Sequence, residues 1–246
     1  MCIFKTLFSN LLIALAFCLS CSCSPTLPPT SISSEHNVVS PLQNLYQSVV
    51  VIMGIKDNNI KAIGSGVVIR CEKGQKKRVI TAWHVVDYLN YIKSPILAGS
   101  KKTGKIQVFS IVKPDPANDL GILEGLLPEK EACPTAPIAR DLPEVGDAVY
   151  VVGEPMGHEG NISKGILSNV YVNEAHGGAT MVYRTDAAVA PGNSGGGMFN
   201  SKGELVGIIS FLELLPGFPL VPVPVPGSGH AIGLPHIWLN INSLAF

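Results

Sequence analysis

Residues 183–196 read Tyr183-Arg184-Thr185-Asp186-Ala187-Ala188-Val189-Ala190-Pro191-Gly192-Asn193-Ser194-Gly195-Gly196, a strand-forming run that breaks into a serine set among glycines. Glycine lacks a Cβ, so another chain can approach it closely and successive N–H groups beside it can be turned toward one point. An oxyanion pocket is built that way. A Gly-rich hairpin without chemistry explains the glycines too, so the decision rests on what the rest of the chain supplies.

Outward from this loop the chain is a series of short β-branched runs. They cover Val49–Ile55, Ala62–Ile69, Val79–Trp83, Ile106–Val112, Leu120–Leu123, Ala148–Val152, Ile166–Val172, Met181–Thr185, Leu205–Phe211 and Ala231–Leu234. Breakers such as Lys101-Lys102-Thr103-Gly104 and Ser201-Lys202-Gly203 separate them in the manner of hairpins. Roughly ten to twelve strands without alternating helical stretches predict an all-β barrel or sandwich, folded as one unit over residues 41–246. Helix is expected only just after His84 and over Pro235–Ala245, where proline suits a first turn. The stretch Leu215–Gly229 carries proline at nearly every second position from Pro222 to Pro226, and prolines cannot donate ladder bonds, so it reads as an exposed polyproline-like loop.

The 246 residues carry 18 basic and 18 acidic side chains, and charged residues are 15 % of the total. That is below the roughly 25 % usual for soluble domains and argues against a nucleic-acid-binding arm. A hydrophobic share of 46 % supplies a sizeable core, while 25 glycines and 19 prolines favour turns over long helices. The longest apolar run, Leu11–Leu19, is well short of the ~20 residues of a spanning helix. With Lys5 before it and Ser20–Ser24 after it, residues 1–23 have the layout of an export signal. Cys18-Leu19-Ser20-Cys21 resembles a lipobox, which makes Cys21 the candidate for lipidation and a membrane tether; ordinary cleavage nearby and a retained helix are the alternatives. Residues 24–40 are rich in Pro, Ser and Thr and read as a solvated tether. Cys71 and Cys133 are left for the folded part, either as a disulfide or as free buried thiols, and no His or Cys stands at metal-ligand spacing. No cofactor or metal is expected.

Two more positions bear on Ser194. His84 follows the apolar run Val79–Trp83, and Asp119 opens the run Asp119-Leu120-Gly121-Ile122-Leu123. Serine is a weak nucleophile until a neutral imidazole takes its proton, and the imidazole needs a carboxylate on its other nitrogen to fix the tautomer. Asp115, in the turn Pro114-Asp115-Pro116, is the rival carboxylate, although aspartate there is a common turn former.

These stretches resemble the trypsin-like serine proteases of the HtrA/Deg group. The matches are Gly64-Ser65-Gly66-Val67-Val68-Ile69, Ile80-Thr81-Ala82-Trp83-His84-Val85-Val86, Asn118 to Leu123, Gly153-Glu154-Pro155-Met156-Gly157, Ser163 to Ser168, Thr185 to Gly196, Gly203 to Ile208 and Gly229-His230-Ala231-Ile232. The resemblance implies two six-stranded antiparallel, chymotrypsin-like β-barrels, at about 41–135 and 136–246, with the active site between them and a short C-terminal helix. It makes Ser194 the nucleophile, His84 the general base and Asp119 the orienting carboxylate. The N–H groups of Gly192 and Ser194 become the oxyanion hole, and Ser210 the support of the carboxylate. Ala188, six residues before the nucleophile, is expected at the base of the substrate pocket, with Pro191, Phe211, Leu212 and His230 beside it. An uncharged base disfavours Lys and Arg and favours small or medium aliphatic side chains.

The implied activity is endopeptidase cleavage of unfolded or exposed polypeptide by an exported, periplasmic or envelope-associated enzyme, and a homotrimer is a further expectation. A catalytically weak peptide-binding or holdase module and an inert structural lipoprotein are the alternatives. The chain departs from the family in stopping soon after the last match, so a regulatory PDZ domain is not expected. A short Cys71–Lys77 connection and the enlarged Pro-rich stretch are further departures.

Overall fold

Twelve strands form two closed antiparallel barrels in the computed structural model, which describes residues 41–72, 74–100, 105–128, 131–155, 160–174, 179–215 and 223–244. The export signal, the tether and Cys21 lie outside the described residues. In the first barrel the strands are β1 (Val49–Lys56), β2 (Asn59–Glu72), β3 (Lys76–Ala82), β4 (Ile96–Ser100), β5 (Lys105–Asp115) and β6 (Leu120–Leu126), closed in the order β1-β2-β3-β6-β5-β4. The second consists of β7 (Ala148–Gly153), β8 (Asn161–Asn173), β9 (Thr180–Thr185), β10 (Gly197–Asn200), β11 (Leu205–Leu215) and β12 (Val223–Gly233), closed as β10-β11-β12-β9-β8-β7. Both barrels belong to one compact unit.

Successive strand residues point to opposite faces, and several strands here bury both. Val68, Leu123, Val151, Ile209 and Ala231 fill the barrel interiors. Their neighbours Val67, Ile122, Val152, Ile208 and Ile232 meet in a third cluster joining the two barrels, with Phe199 and Leu205. Each Val, Leu, Ile or Phe among them contributes about 1.5–3 kcal/mol on burial. The run between the barrels is laced to both: Ala136 N–H donates to the Val68 carbonyl, Ala139 N–H to Leu205, and Leu205 N–H to Pro137. Cys133 in this run is bonded to Cys71 at the end of β2.

Helix α1 (Trp83–Tyr91) starts where β3 ends and buries Val85, Val86 and Leu89. Helix α2 spans Leu234–Asn242, ending three residues before the expected Ala245, with Pro235 in its first turn. One expectation is corrected. Of the expected loop Leu215–Gly229, Leu215 ends β11 and residues 223–229 are the start of β12, paired Leu215↔Val223 and Leu214↔Pro224, while 216–222 lie outside the described residues. Pairing with β9 begins only at Gly229, so this end of β12 is a sheet edge with one neighbour, where proline is tolerated.

Candidate active site

His84 is the second residue of α1, and the start of this helix lacks a side-chain cap of its own. Asp119 serves instead. Its carbonyl accepts from Trp83 N–H at 3.1 Å and its Oδ1 accepts from His84 N–H at 2.8 Å. The helix N-terminus thus draws the carboxylate in, since the first N–H groups have no partners within the helix and carry partial positive charge. Asp119 adopts a left-handed backbone, φ 50°, between a 3₁₀ turn at Pro116–Asn118 and β6. That conformation returns the same carboxylate to the imidazole, with His84 Nδ1 2.9 Å from Oδ2 and 3.2 Å from Oδ1.

Burial works to raise the Asp119 pKa, yet the hydrogen bonds and charge of His84 and the hydroxyl of Ser210 outweigh it and hold the carboxyl below its ordinary 3.8. The group is therefore ionised at neutral pH and can only accept. The imidazole proton then sits on Nδ1, which leaves the Nε2 lone pair to act as a base. With the His84 side chain 49 % exposed and that of Asp119 23 %, the imidazole faces solvent while the carboxylate is sheltered. Asp115 does different work: it caps the 3₁₀ turn through Asn118 N–H and receives Asn240 Nδ2 of α2 at 2.7 Å.

Ser194 sits in the loop from β9 to β10. Pro191 and Gly192 are the central residues of a turn closed by Asn193 N–H to the Ala190 carbonyl at 3.0 Å, and φ of +100° at Gly192 suits the type II geometry that Pro-Gly favours. Gly195 N–H donates to Ile209 and Gly196 N–H to Asn193. The N–H groups of Asn193, Gly195 and Gly196 are thus all spent. Among the described residues no acceptor takes the N–H of Gly192 or of Ser194, and these two remain for an oxyanion.

The Ser194 hydroxyl donates to the Ser210 carbonyl at 3.1 Å, and among the described residues it makes no hydrogen bond to His84. Ser210 Oγ in turn donates to Asp119 Oδ2. Ser210 on β11 therefore links Ser194 and Asp119, one through its carbonyl and the other through its hydroxyl. Catalytic hydrogen bonds are commonly looser without substrate.

A cavity of about 350 Å³ is lined by Asp186, Ala188, Val189, Leu212, Ser228 and Gly229 among others. Ala188 and Leu212 thus share the lining, while Pro191, in the serine loop itself, is exposed and lies outside it. Val189 lies against Gly229, where an added Cβ would come within 2.5 Å of Val189 Cγ2, so the cavity is narrow there. His230 and Phe211 lie outside this lining: their rings stack at 4.5 Å, and His230 Nδ1 meets Tyr171 Oη at 3.0 Å. Sequence reasoning missed Val189 and Asp186 as lining residues, because no local pattern marks them. One Asp186 oxygen is taken up by Ile166 N–H at 2.7 Å. Among the described residues no group of three or more His, Cys, Asp or Glu is placed to hold a metal, and no helix is long and apolar enough to cross a membrane.

Residues 64–208 match the family model of the trypsin-like peptidase domain. The chain is 33 % identical over 156 residues to the periplasmic serine endoprotease DegP of Escherichia coli, covering 63 % of this chain and 31 % of that protein. It is 30 % identical over 158 residues to the putative serine protease HhoA of Synechocystis, covering 62 % and 38 %. The chain thus spans about a third of the length of these curated relatives. A serine endoprotease structure from Yersinia pestis superimposes with a TM-score of 0.61 at 25 % identity, over 82 % of this chain and 64 % of that one. The HtrA-type protease AlgW with a tripeptide, at 24 % identity, shares the fold with a TM-score of 0.64, over 82 % and 60 %.

Proposed function

The chain belongs to the trypsin-like peptidase family, and from that premise we propose that it is a serine endopeptidase acting on unfolded or exposed polypeptide through an acyl-enzyme. The observation that carries this reading is the run of contacts from His84 through Asp119 and Ser210 to Ser194, beside two N–H groups of the serine loop that no described acceptor takes. In the first step Ser194 Oγ bonds to the scissile carbonyl carbon while His84 Nε2 takes the hydroxyl proton. The negative oxygen that forms is held by the N–H groups of Gly192 and Ser194, each such donor contributing roughly a hundred- to a thousandfold in rate. Collapse breaks the C–N bond and returns the proton to the departing amine. Water, deprotonated by the same nitrogen, then releases the acyl group. Asp119 stays ionised throughout, steadying the imidazolium, and Ser210 supports it.

The narrowing of the cavity by Val189 and the neutral Ala188 support cleavage after small or medium aliphatic residues. The names of the relatives support export, and we extend the proposal to a cell-envelope enzyme with a lipid on Cys21, working as a homotrimer. The mature N-terminal mass and sedimentation of the purified protein test those two points.

One observation favours a second reading. The Ser194 hydroxyl rests on the Ser210 carbonyl rather than on His84, as it would in a peptide-binding module with little turnover. Incubating a denatured protein mixture with the wild-type chain and with Ser194→Ala, followed by mass spectrometry of the products, separates the two. The enzyme reading expects new termini after Val, Ala, Leu or similar residues, in the wild type alone. Matching product sets contradict it, and cleavage after Lys or Arg would transfer specificity to Asp186.

A further inference from the structure

We propose that Ser65, on the first barrel, is the positioning residue that holds the oxyanion pocket of the second barrel in its productive shape. The inference rests on the reading of Ser194 as nucleophile and of the Gly192 and Ser194 N–H groups as oxyanion donors.

Ser65 lies on β2 with no exposed surface, and its polar groups are all engaged. The hydroxyl donates to the Gly192 carbonyl at 2.7 Å and accepts from Glu154 N–H, just beyond β7, at 2.9 Å. Its N–H donates to the Ser194 carbonyl at 2.8 Å. Its carbonyl accepts from the Thr81 hydroxyl of β3 at 2.6 Å. Three of these four bonds cross between the barrels, and two of the three end on the serine loop.

The Gly192 carbonyl and the Asn193 N–H belong to one planar peptide unit. That plane is pinned at both edges, its oxygen by Ser65 Oγ and its N–H by the Ala190 carbonyl. The Gly192 N–H lies on the preceding Pro191–Gly192 plane, hinged to this one at the Gly192 Cα, and glycine offers little steric resistance at that hinge, so this plane needs an outside hold if the N–H is to stay aimed. Ser65 provides it. The bond from Ser65 N–H to Ser194 is made by backbone and survives any substitution except proline. A side-chain change therefore releases Gly192 while the loop stays docked at Ser194. His84 and Asp119 ride on the same barrel as Ser65. One residue thus ties the aim of the oxyanion donors to the seating of the barrel that carries the base.

The test compares wild type, Ser65→Ala, Ser65→Thr and the near-isosteric Ser65→Cys on a quenched peptide copied from a cleavage site mapped in denatured casein. Ser65→Ala is expected to lower kcat by about 10- to 100-fold with KM within about twofold, because the lost contact matters chiefly in the transition state. Ser65→Thr keeps the hydroxyl and recovers most of the rate. Affinity for a peptide boronate, whose tetrahedral adduct places an oxygen in the pocket, falls in step with kcat, while an unreactive peptide amide binds unchanged. If Ser65→Ala does not fold, Ser65→Cys, a weak donor of similar size, carries the same comparison. Wild-type kcat in Ser65→Ala or Ser65→Cys overturns the proposal, as does equal weakening of boronate and amide. A wild-type chain that neither turns over peptide nor reacts at Ser194 overturns the nucleophile reading first, so the two failures are distinguishable.

Discussion

Asp119 shows how one side chain is made to do two things. Its carboxylate caps α1 and orients the imidazole that α1 carries, so the helix start and the His84 ring are set by one side chain. Gly195 is a second case, and its constraint is steric. A Cβ there would stand 2.1 Å from the Ser65 carbonyl and 2.2 Å from Thr81 Oγ1, at a φ of +85°. Gly195→Ala is therefore expected to cost more than the ~1–3 kcal/mol of a strained backbone alone, read as a lower urea midpoint, together with loss of peptidase activity. An unchanged midpoint would contradict the packing described. His84, Asp119 and Ser194 are legible in the sequence because each stands beside a recognisable apolar or glycine-rich run. Ser65 and Val189 are not, since a serine between glycines and a valine after alanines read as ordinary strand and loop. Their roles exist only once the barrels meet.

Ten strands are legible as β-branched runs, but β4 and β10 are not. Ile96-Leu97-Ala98-Gly99-Ser100 and Gly197-Met198-Phe199-Asn200 are short and each contains glycine, so tertiary pairing decides them rather than local propensity. The proline-rich start of β12 misleads in the other direction, because proline excludes a central strand and not an edge. Helix α2 carries a testable group. His236 Nε2 accepts from Met181 N–H at 2.8 Å, and burial holds its pKa below the ordinary 6.5 against the opposing charge of Asp115. As pH falls below that value, the unfolded chain takes up a proton that the folded chain refuses, so stability falls with pH and is fully present above it. The urea midpoint of the wild type is expected to drop between about pH 7 and 5. His236→Gln, which keeps an acceptor for Met181, should lack this component. A variant with the same slope as wild type would refute the assignment.

The described residues form two barrels closed on a shared apolar seam, with His84 and Asp119 on one side and the serine loop on the other. The Cys71–Cys133 bond, closing a separation of 62 residues, adds on the order of 4 kcal/mol by the loop-entropy account. It ties β2 to the run between the barrels, and no cysteine spacing in the sequence announces it. The barrel architecture is legible from strand count and motif order. The seam is not, because which of two adjacent apolar residues faces a barrel interior depends on register. The central claim is that a hydroxyl from one barrel is activated by an imidazole from the other. Intact-mass analysis after treatment with a fluorophosphonate tests it most directly. One adduct on Ser194 is expected in the wild type, with none in Ser194→Ala and a severely slowed reaction in His84→Ala. No adduct on the wild type, or labelling that persists in Ser194→Ala, would contradict the account.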